Sequence, residues 1–468
     1  MINLLKSNKT LINISIALIP LPFLGNFLLN IYENQLVISF LSIKNLIFSF
    51  ISFLFLYNFC SLISQASGFK NISFCISIFY ISFYAVNFLI LNFGETIQNF
   101  DHYFYLVISL WIIYLIYNFK FLYKLNIFLS IFSFLVIKLI KNYILDKNYS
   151  LPQFSSDTGY FWTPMSKAIY DNSLYYALEN NIISGYGLLI NYIHSINFKL
   201  FINEDFFYFH TTTTNIFLFL YVLFIWEINA PKNIKYSGII ILLSILLNSD
   251  WLSFLFINSS MGEGIANYLF AVIFLTLINT VKKYQNNLNS YELYTAVFFA
   301  GFLYFTKPFA SYLILLIILW VFSRSKKVII LLLGFSGVFI NFFNYSYIIS
   351  GNTSDGYLNL AEFADTEKLY NLKLNNILQI LLNFFTLDKV MSLFIVILAI
   401  LTIYNLIKLK SFSPIFLLLL FNALLVFLLY VSVWQNKELE SAYRYLLTLL
   451  NLYIVLYVYE LKKIFYKS

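Results

Sequence analysis

Long apolar runs alternate with short polar segments along the whole chain, and most runs are long enough to cross the hydrocarbon core of a bilayer. Their spacing predicts about fourteen membrane-spanning helices. We place these spans near residues 11–29, 40–64, 73–92, 103–118, 123–140, 211–228, 236–252, 265–281, 292–305, 309–322, 328–349, 389–407, 413–433 and 444–461.

One apolar stretch, residues 292–322, is predicted to form two short helices rather than one long tilted span. The two helices turn at Thr306-Lys307-Pro308, a position where proline is well tolerated. This division keeps the basic segment that begins at Arg324 on the same side of the membrane as the other basic loops.

The polar segments alternate in charge from one loop to the next. One set of loops is rich in Lys and Arg, and the opposite set holds nearly all of the acidic residues. Because basic loops stay in the cytoplasm, the pattern predicts cytoplasmic termini and an even number of spans. The basic set consists of Lys6, Lys9, Lys70, Lys120, Lys124, Lys232, Lys235, Lys282, Lys283, Arg324, Lys326, Lys327, Lys408, Lys410, Lys462, Lys463 and Lys467.

Composition indicates an all-α, polytopic integral membrane protein, since 61% of the residues are hydrophobic and only 11% are charged. The net charge of +8 then reflects membrane sidedness and contact with lipid head groups, not a nucleic-acid partner. The Ile-, Asn- and Lys-rich composition suggests an AT-rich bacterial genome, and therefore the bacterial cytoplasmic membrane. No small-residue cleavage site follows the first apolar run, so we interpret it as an uncleaved span. Cys60 and Cys75 imply no disulfide framework.

The predicted external segments hold most of the polar residues that could take part in binding or catalysis. Residues 141–210 interleave polar and apolar side chains, as helices on a membrane surface do. Residues 350–375 and 434–443 are also external, and residues 375–386 are predicted to lie in the outer interface. The cytoplasmic loops are short and carry no nucleotide-binding motif. An external reaction therefore needs an activated substrate such as a sugar on a polyprenyl phosphate, whose tail enters the bilayer.

Asp157 is the main candidate for chemistry, because a carboxylate near hydrocarbon is costly to keep and is a stronger base than in water. It could take the proton of an acceptor hydroxyl. Arg444, Lys307 and Lys167 could receive the departing phosphate. Other roles stay open: Asp157 could cap the following helix, and Arg444 and Lys307 could anchor helix ends at the head groups. Glu263 could complement a helix dipole or act as a second catalytic carboxylate.

Four segments resemble the GT-C superfamily, the polytopic glycosyltransferases related to protein O-mannosyltransferases and to lipid A aminoarabinose transferases. They are residues 157–168 (Asp-Thr-Gly-Tyr-Phe-Trp-Thr-Pro-Met-Ser-Lys-Ala), 262–270 (Gly-Glu-Gly-Ile-Ala-Asn-Tyr-Leu-Phe), 300–308 (Ala-Gly-Phe-Leu-Tyr-Phe-Thr-Lys-Pro) and 441–447 (Ser-Ala-Tyr-Arg-Tyr-Leu-Leu). The resemblance implies a GT-C-like catalytic core over residues 119–468. Residues 1–118 would add four N-terminal transmembrane helices that face lipid.

The resemblance also implies a reaction and a site. A sugar would pass from a polyprenyl-phosphate donor to a glycan, lipid or protein acceptor of the cell envelope, usually with inversion at the sugar carbon. Two features depart from the family pattern: Trp162 stands where relatives often have His, and no Pro follows Arg444-Tyr445. The implied site residues are Asp157 and Glu263 as catalytic carboxylates, Arg444, Lys307 and Lys167 as ligands of the donor phosphate, and Tyr160, Trp162 and Tyr445 as substrate contacts.

Two other functions stay open. A lipid-linked polysaccharide polymerase or ligase usually has arginines in one large late loop, whereas this chain has a single external Arg. A lipid-linked oligosaccharide transporter should show internal repeats, Gly- and Pro-broken helices and charges within spans, all of which are scarce here. The three His residues are widely scattered, so no cofactor is expected. Acid pairs such as Glu204-Asp205 could still hold a divalent cation.

Overall fold

A computed structural model gives the fold of most of the predicted membrane helices. It describes residues 43–93, 100–118, 163–171, 188–201, 206–228, 232–248, 262–285, 291–304, 306, 308–351, 389–410, 413–429 and 450–465, and a few single positions within 128–136 and 378–386. Within these residues the regular secondary structure is α-helical. The predicted span at 11–29, and most of 123–140 and 375–386, lie outside the described residues.

The described helices follow the predicted spans, with ends that shift by a few residues. Two further helices, α4 and α5, lie in the segment predicted to be external. The helices are α1 (Ile43–Ser67), α2 (Ile72–Phe93), α3 (Phe100–Tyr117), α4 (Thr163–Asp171), α5 (Leu189–Phe201), α6 (Phe206–Glu227), α7 (Lys232–Asn248), α8 (Gly262–Gln285), α9 (Tyr291–Gly301), α10 (Pro308–Ser325), α11 (Val328–Gly351), α12 (Lys389–Leu409), α13 (Pro414–Leu429) and α14 (Leu450–Phe465).

Hydropathy and exposure identify a helical membrane protein. Three stretches of described helix, Ser49–Ser67, Gly264–Val281 and Ser392–Leu409, are long and apolar enough to cross a membrane, and shorter apolar helices accompany them. Large side chains such as Ile113 on α3 and Ile407 on α12 are exposed. Exposed apolar surfaces of this kind are stable in contact with the hydrocarbon core of a bilayer. The total of about fourteen spans stays a prediction.

Two compact units make up the chain. The first comprises residues 1–40, 221–257 and 359–468, and its described helices are the end of α6 with α7, α12, α13 and α14. The second comprises residues 41–220 and 258–358, with α1 to α5, most of α6, and α8 to α11. This division does not coincide with the predicted boundary after residue 118.

Helix α2 is an interior helix of the second unit. It packs against α1, α3, α5, α8 and α11, and residues 73–81 are buried along their whole length. Small side chains such as Ser73, Cys75 and Ser77 let neighbouring helices approach closely. We expected residues 1–118 to face lipid, whereas residues 73–81 of α2 are buried among neighbouring helices of the second unit.

Glycines bring α9 and α11 into backbone contact. A Cβ atom on Gly301 would lie 2.3 Å from the carbonyl oxygen of Gly334 and 2.8 Å from Cα of Gly337. A Cβ atom on Gly337 would lie 2.6 Å from the carbonyl oxygen of Phe298. Small residues at helix contacts in membranes allow this approach. The backbone that follows α9 therefore lies within reach of side chains on α11.

Two predicted cytoplasmic loops meet the start of α9 at one end of the second unit. The ring of Phe69, in the loop after α1, stacks on Tyr291 with centroids 5.7 Å apart. The Nζ atom of Lys327, just before α11, donates to the hydroxyl of Tyr294 at 3.4 Å. The charge pattern predicts that these loops share one side of the membrane. The side itself stays a prediction.

Cysteine labelling can test this sidedness. We expect Lys70→Cys and Lys327→Cys to react with a membrane-impermeant maleimide only after the membrane of right-side-out vesicles is opened, because both positions are exposed at the shared end. Lys167→Cys, on the predicted external side, should react in sealed vesicles. The native protein is the control, since Cys60 and Cys75 are buried free thiols. Labelling of Lys70→Cys in sealed vesicles would reverse the assigned orientation.

The first unit is held together by α14, which packs against α7, α12 and α13. At one end of this helix Glu460 is 1% exposed. Its Oε1 atom accepts a hydrogen bond from Lys463 at 2.9 Å, and its Oε2 atom accepts one from Asn405 Nδ2 at 2.5 Å. A buried carboxylate needs such partners. The contact joins α12 to α14 beside the basic residues of their predicted cytoplasmic ends.

Candidate functional site

Helix α4 follows the Asp157 segment, and buried hydrogen bonds fix it against α5. The hydroxyl of Ser195 lies 2.8 Å from the carbonyl oxygens of both Ser166 and Asn191. The hydroxyl of Ser166 donates to Oδ1 of Asn191 at 3.1 Å. Such bonds are strong constraints where water is excluded, because no other partner is available. The helix that begins six residues after Asp157 is thus anchored to α5 at Ser166.

Of the predicted site residues, Lys167 is the one whose side-chain exposure the structure describes. It is exposed on α4, whereas Met165, Ser166, Ala168 and Ile169 are buried. Pro164 lies in the first turn of this helix, where a missing N–H group leaves no internal hydrogen bond unmade. Helix α4 therefore exposes the cation Lys167 and buries the residues on either side of it.

The polar residues of α5 are buried rather than solvated. Residues 188–197, which include His194, are buried, and the hydroxyl of Tyr80 on α2 donates to Oδ1 of Asn197 at 2.7 Å. The ring of Tyr192 lies 5.5 Å from that of Tyr84, also on α2. We expected helices of residues 141–210 to keep one face in water. Here the interleaved polar side chains bond to neighbouring helices, and α5 runs beside the middle of α2.

The turn between α9 and α10 is bound by a side chain of α11. The Nδ2 atom of Asn341 donates to the carbonyl oxygen of Phe302 at 3.0 Å and also to that of Tyr304. Oδ1 of the same amide accepts a hydrogen bond from the Tyr84 hydroxyl at 2.5 Å. Helix α10 begins at Pro308, within the predicted turn, whereas α9 ends at Gly301, four residues before its predicted end at residue 305.

Thr306 carries a buried hydroxyl within this turn. Its residue is fully buried, and Oγ1 has no hydrogen-bond partner among the described residues. An unsatisfied buried donor calls for an explanation, such as a ligand atom that accepts from it. Lys307, the next residue in the chain, lies outside the described residues, and Pro308 after it begins α10. A donor and a cation are therefore adjacent in sequence at the start of a helix.

Tyr84 connects the two parts of the site. Its ring contacts Tyr192 on α5, the helix that holds α4, and its hydroxyl holds the amide that binds the α9–α10 turn. A continuous set of contacts thus runs from the helix that carries Lys167 to the turn that precedes Lys307. The elements next to these two predicted phosphate ligands, α4 and the turn that contains Thr306, belong to one packed network of the second unit.

The other predicted site residues are placed less fully. Glu263 is the second residue of α8, and this first-turn position suits a carboxylate that complements the helix dipole. The remaining five, Asp157, Tyr160, Trp162, Arg444 and Tyr445, lie outside the described residues. Their roles stay predictions.

Sequence reasoning missed the polar residues that position the site. Asn341 lies in a predicted span, and Ser195 and Asn191 lie in a segment assigned to the membrane surface. An Asn within an apolar span was a usable signal, because an amide in hydrocarbon needs partners and marks a packed contact. Its partners, Tyr84 and the turn after Gly301, are distant in sequence, and so no local pattern identifies them.

Acidic and metal-binding chemistry is limited in the part of the chain that the structure describes. Glu460 is the buried charged residue there, and Lys463 and Asn405 already occupy its oxygens. Those residues contain no group of three or more His, Cys, Asp or Glu side chains that could hold a metal ion.

The described geometry offers hydrogen-bond donors and cations, an arrangement that suits a ligand with anionic oxygens. Among the described residues, Lys167 supplies a cation and Thr306 a donor hydroxyl, and buried hydrogen bonds hold the elements that carry them. Comparison with protein families, with curated proteins and with solved structures found no match to this chain.

Proposed function

We propose that the protein transfers a sugar from a polyprenyl-phosphate carrier to an acceptor of the cell envelope at the outer face of the membrane. The acceptor oxygen bonds to the anomeric carbon while the bond from that carbon to the phosphate oxygen breaks. Asp157 takes the acceptor proton, and polyprenyl phosphate leaves with the bonding electrons. Arg444, Lys307 and Lys167 stabilise the departing phosphate, and Tyr160, Trp162 and Tyr445 contact the substrate.

The observation that carries this proposal is the Thr306-Lys307 pair at the start of α10. Thr306 has a buried hydroxyl that lacks a partner among the described residues, and a phosphate oxygen is a strong acceptor for it. The first N–H groups of a helix also favour an anion. A phosphate at the outer membrane plane, carried by an apolar tail, fits a site at the end of a membrane helix.

Helix α4 and the α9–α10 turn are both held in place by hydrogen bonds, which supports the same proposed reaction. Catalysis by charge stabilisation depends on groups that do not reorganise during the reaction. Helix α4 is held by Ser166, Asn191 and Ser195, and the α9–α10 turn is held by Asn341. Helix α4, with its exposed Lys167, and the turn that contains Thr306 can therefore contact a phosphate without first becoming ordered.

A transfer assay in proteoliposomes tests the proposal. Polyprenyl-phosphate sugars are offered with an extract of envelope acceptors, and both free polyprenyl phosphate and sugar-bearing acceptor are measured. Release of polyprenyl phosphate with a single sugar added to the acceptor is the expected result. Stepwise growth of a lipid-linked chain would indicate a polymerase or ligase instead. Movement of the sugar-lipid across the bilayer without release would indicate a transporter.

Thr306→Val gives a specific prediction for this assay. We expect the KM for the donor to rise roughly tenfold, because a hydrogen bond to a charged oxygen is lost. The stability of the protein should not fall, because valine has nearly the same shape and removes an unsatisfied polar group. Donor titrations and thermal unfolding measure the two effects.

Thr213→Val is the matched control for this substitution. Thr213 is also buried, and its Oγ1 also lacks a partner among the described residues, but it lies on α6. Its replacement should leave the donor KM unchanged. An unchanged donor KM in Thr306→Val would contradict the assignment of Thr306 to the phosphate, and equal increases in both variants would indicate a general packing effect.

A further inference from the structure

The break between α9 and α10 leaves two carbonyl groups without their helical partners. In a continuous helix the carbonyl of Tyr304 would accept from the N–H of residue 308, but residue 308 is proline and has none. The carbonyl of Phe302 would accept from the N–H of Thr306, which bonds to the carbonyl of Leu303 at 3.1 Å instead. Neither carbonyl therefore receives the hydrogen bond that a continuous helix would supply.

Asn341 has the two hydrogens needed for these two carbonyls. Both hydrogens of Nδ2 are used, one for Phe302 and one for Tyr304. A buried carbonyl that loses its partner carries the full desolvation cost. An aliphatic residue at position 341 would remove both of these hydrogen bonds, and a carboxylate would oppose the carbonyls with acceptor atoms.

Tyr84 fixes which way this amide points. Its hydroxyl donates to Oδ1 of Asn341, so the amide cannot turn over without losing that bond and both carbonyl bonds. The two residues lie on α2 and α11, which pack against each other within the second unit. The orientation of the turn therefore depends on two membrane helices that are not adjacent to it in sequence.

We infer that Asn341, oriented by Tyr84, is a positioning residue that sets the α9–α10 turn and thereby the location of Lys307. Lys307 is separated from the held carbonyl of Tyr304 by only two residues. The amide does not touch the donor; it acts on donor binding through the turn. This last step rests on the proposed function, whereas the control of the turn does not.

Tyr80 provides a comparison one helical turn earlier on α2. It is a buried tyrosine whose hydroxyl also donates to the Oδ1 of an asparagine, Asn197 on α5. Among the described residues, its hydroxyl bonds to Asn197 and its ring contacts Phe79 and Phe217, none of which lies in the α9–α10 turn. Tyr80→Phe and Tyr84→Phe thus each remove one hydroxyl group from a similarly buried tyrosine on α2. They differ in whether the lost bond orients the amide of Asn341.

The test measures the reactivity of a cysteine at position 307 in sealed vesicles. Lys307→Cys is combined with Tyr84→Phe, with Asn341→Leu or with Tyr80→Phe, and the rate of labelling by an impermeant maleimide is compared. We expect Tyr84→Phe to change that rate roughly fivefold, the effect of one net hydrogen bond on an opening equilibrium, and Asn341→Leu to change it further. Tyr80→Phe should leave the rate unchanged.

Donor kinetics give a second readout in the protein that retains Lys307. Tyr84→Phe should raise the KM for the donor by a similar factor with little change in kcat, because the phosphate ligand is displaced while the base is not. Tyr84→Phe keeps the test decisive if Asn341→Leu fails to fold. A labelling rate unaffected by Tyr84→Phe, or affected equally by Tyr80→Phe, overturns the inference.

The two proposals fail in different ways. A native protein that transfers no sugar contradicts the proposed function, and the labelling rates still decide whether Asn341 and Tyr84 position the turn. A changed labelling rate in an active enzyme with an unchanged donor KM overturns the role of the turn in donor binding.

Discussion

Asp157→Asn is expected to abolish sugar transfer while leaving the folded yield unchanged. The amide has the shape of the carboxylate but cannot accept the proton that the acceptor hydroxyl must lose. General-base catalysis contributes on the order of 10²–10⁴-fold to a rate, and kcat should fall by that factor. The KM for the donor should change little, because the proposed phosphate ligands are retained. Release of polyprenyl phosphate in proteoliposomes measures both constants.

Asp171→Asn is the control for this experiment. Asp171 is the last residue of α4, and its replacement makes the same change of charge in the same predicted external segment. We expect nearly full activity. Comparable losses in the two variants would indicate that the negative charge of the segment matters rather than one base. Transfer that survives in Asp157→Asn would move the base elsewhere, and Glu263 would be the next residue to replace.

Gly301→Ala is expected to destabilise the second unit severely. The new methyl group would lie 2.3 Å from the carbonyl oxygen of Gly334 and 2.8 Å from Cα of Gly337. Both are backbone atoms of α11, so no side-chain rotation can relieve the contact. The gain in helix propensity from alanine is only about 1 kcal/mol. Overpacking of about 3 kcal/mol or more outweighs it, and α9 must separate from α11.

Thermal unfolding in detergent and the yield of monodisperse protein measure this effect. Gly238→Ala is the control, because a Cβ atom there meets only side-chain methyl groups, at 3.3 Å from Ile225 and Val458. Small movements of those side chains relieve the contact, and we expect a change in unfolding temperature well below that of Gly301→Ala. Equal effects would show that loss of helical glycine itself, not the α9–α11 contact, controls stability.

The sequence predicts the membrane helices well because hydropathy is a property of each segment alone. The two-helix interpretation of residues 292–322 is confirmed in its essential point, since α9 ends at Gly301 and α10 begins at Pro308. The sidedness that motivated this interpretation stays a prediction. Proline and the charge of the following loop are local signals, and they were sufficient for the position of the turn.

Contacts between helices could not be predicted in the same way. The polar residues of α5 have one sequence pattern whether they bond to water or to α2 and α4, so the pattern indicated a surface helix. The structure encloses them, with Asn197 bonded to Tyr80 and Ser195 bonded to Ser166. Likewise, the role of Asn341 depends on two helices that approach it only in the folded protein. The base and the arginine of the proposed site stay predictions from sequence.

Because the chain is synthesised from its N-terminus, the short helix α9 depends on a residue that is made after it, Asn341. Its 11 residues extend for about 16 Å, roughly half the thickness of the hydrocarbon core, so it cannot stand alone across a bilayer. The carbonyls of Phe302 and Tyr304 that follow it cannot receive the hydrogen bonds of Asn341 until that residue emerges, after all of α10 has been made. Lipid does not tolerate unpaired carbonyls. We therefore expect the translocon to retain α9 and α10 until α11 arrives. A ribosome stalled with α10 already emerged but residue 341 still in the exit tunnel should hold a nascent chain that is not released into the bilayer.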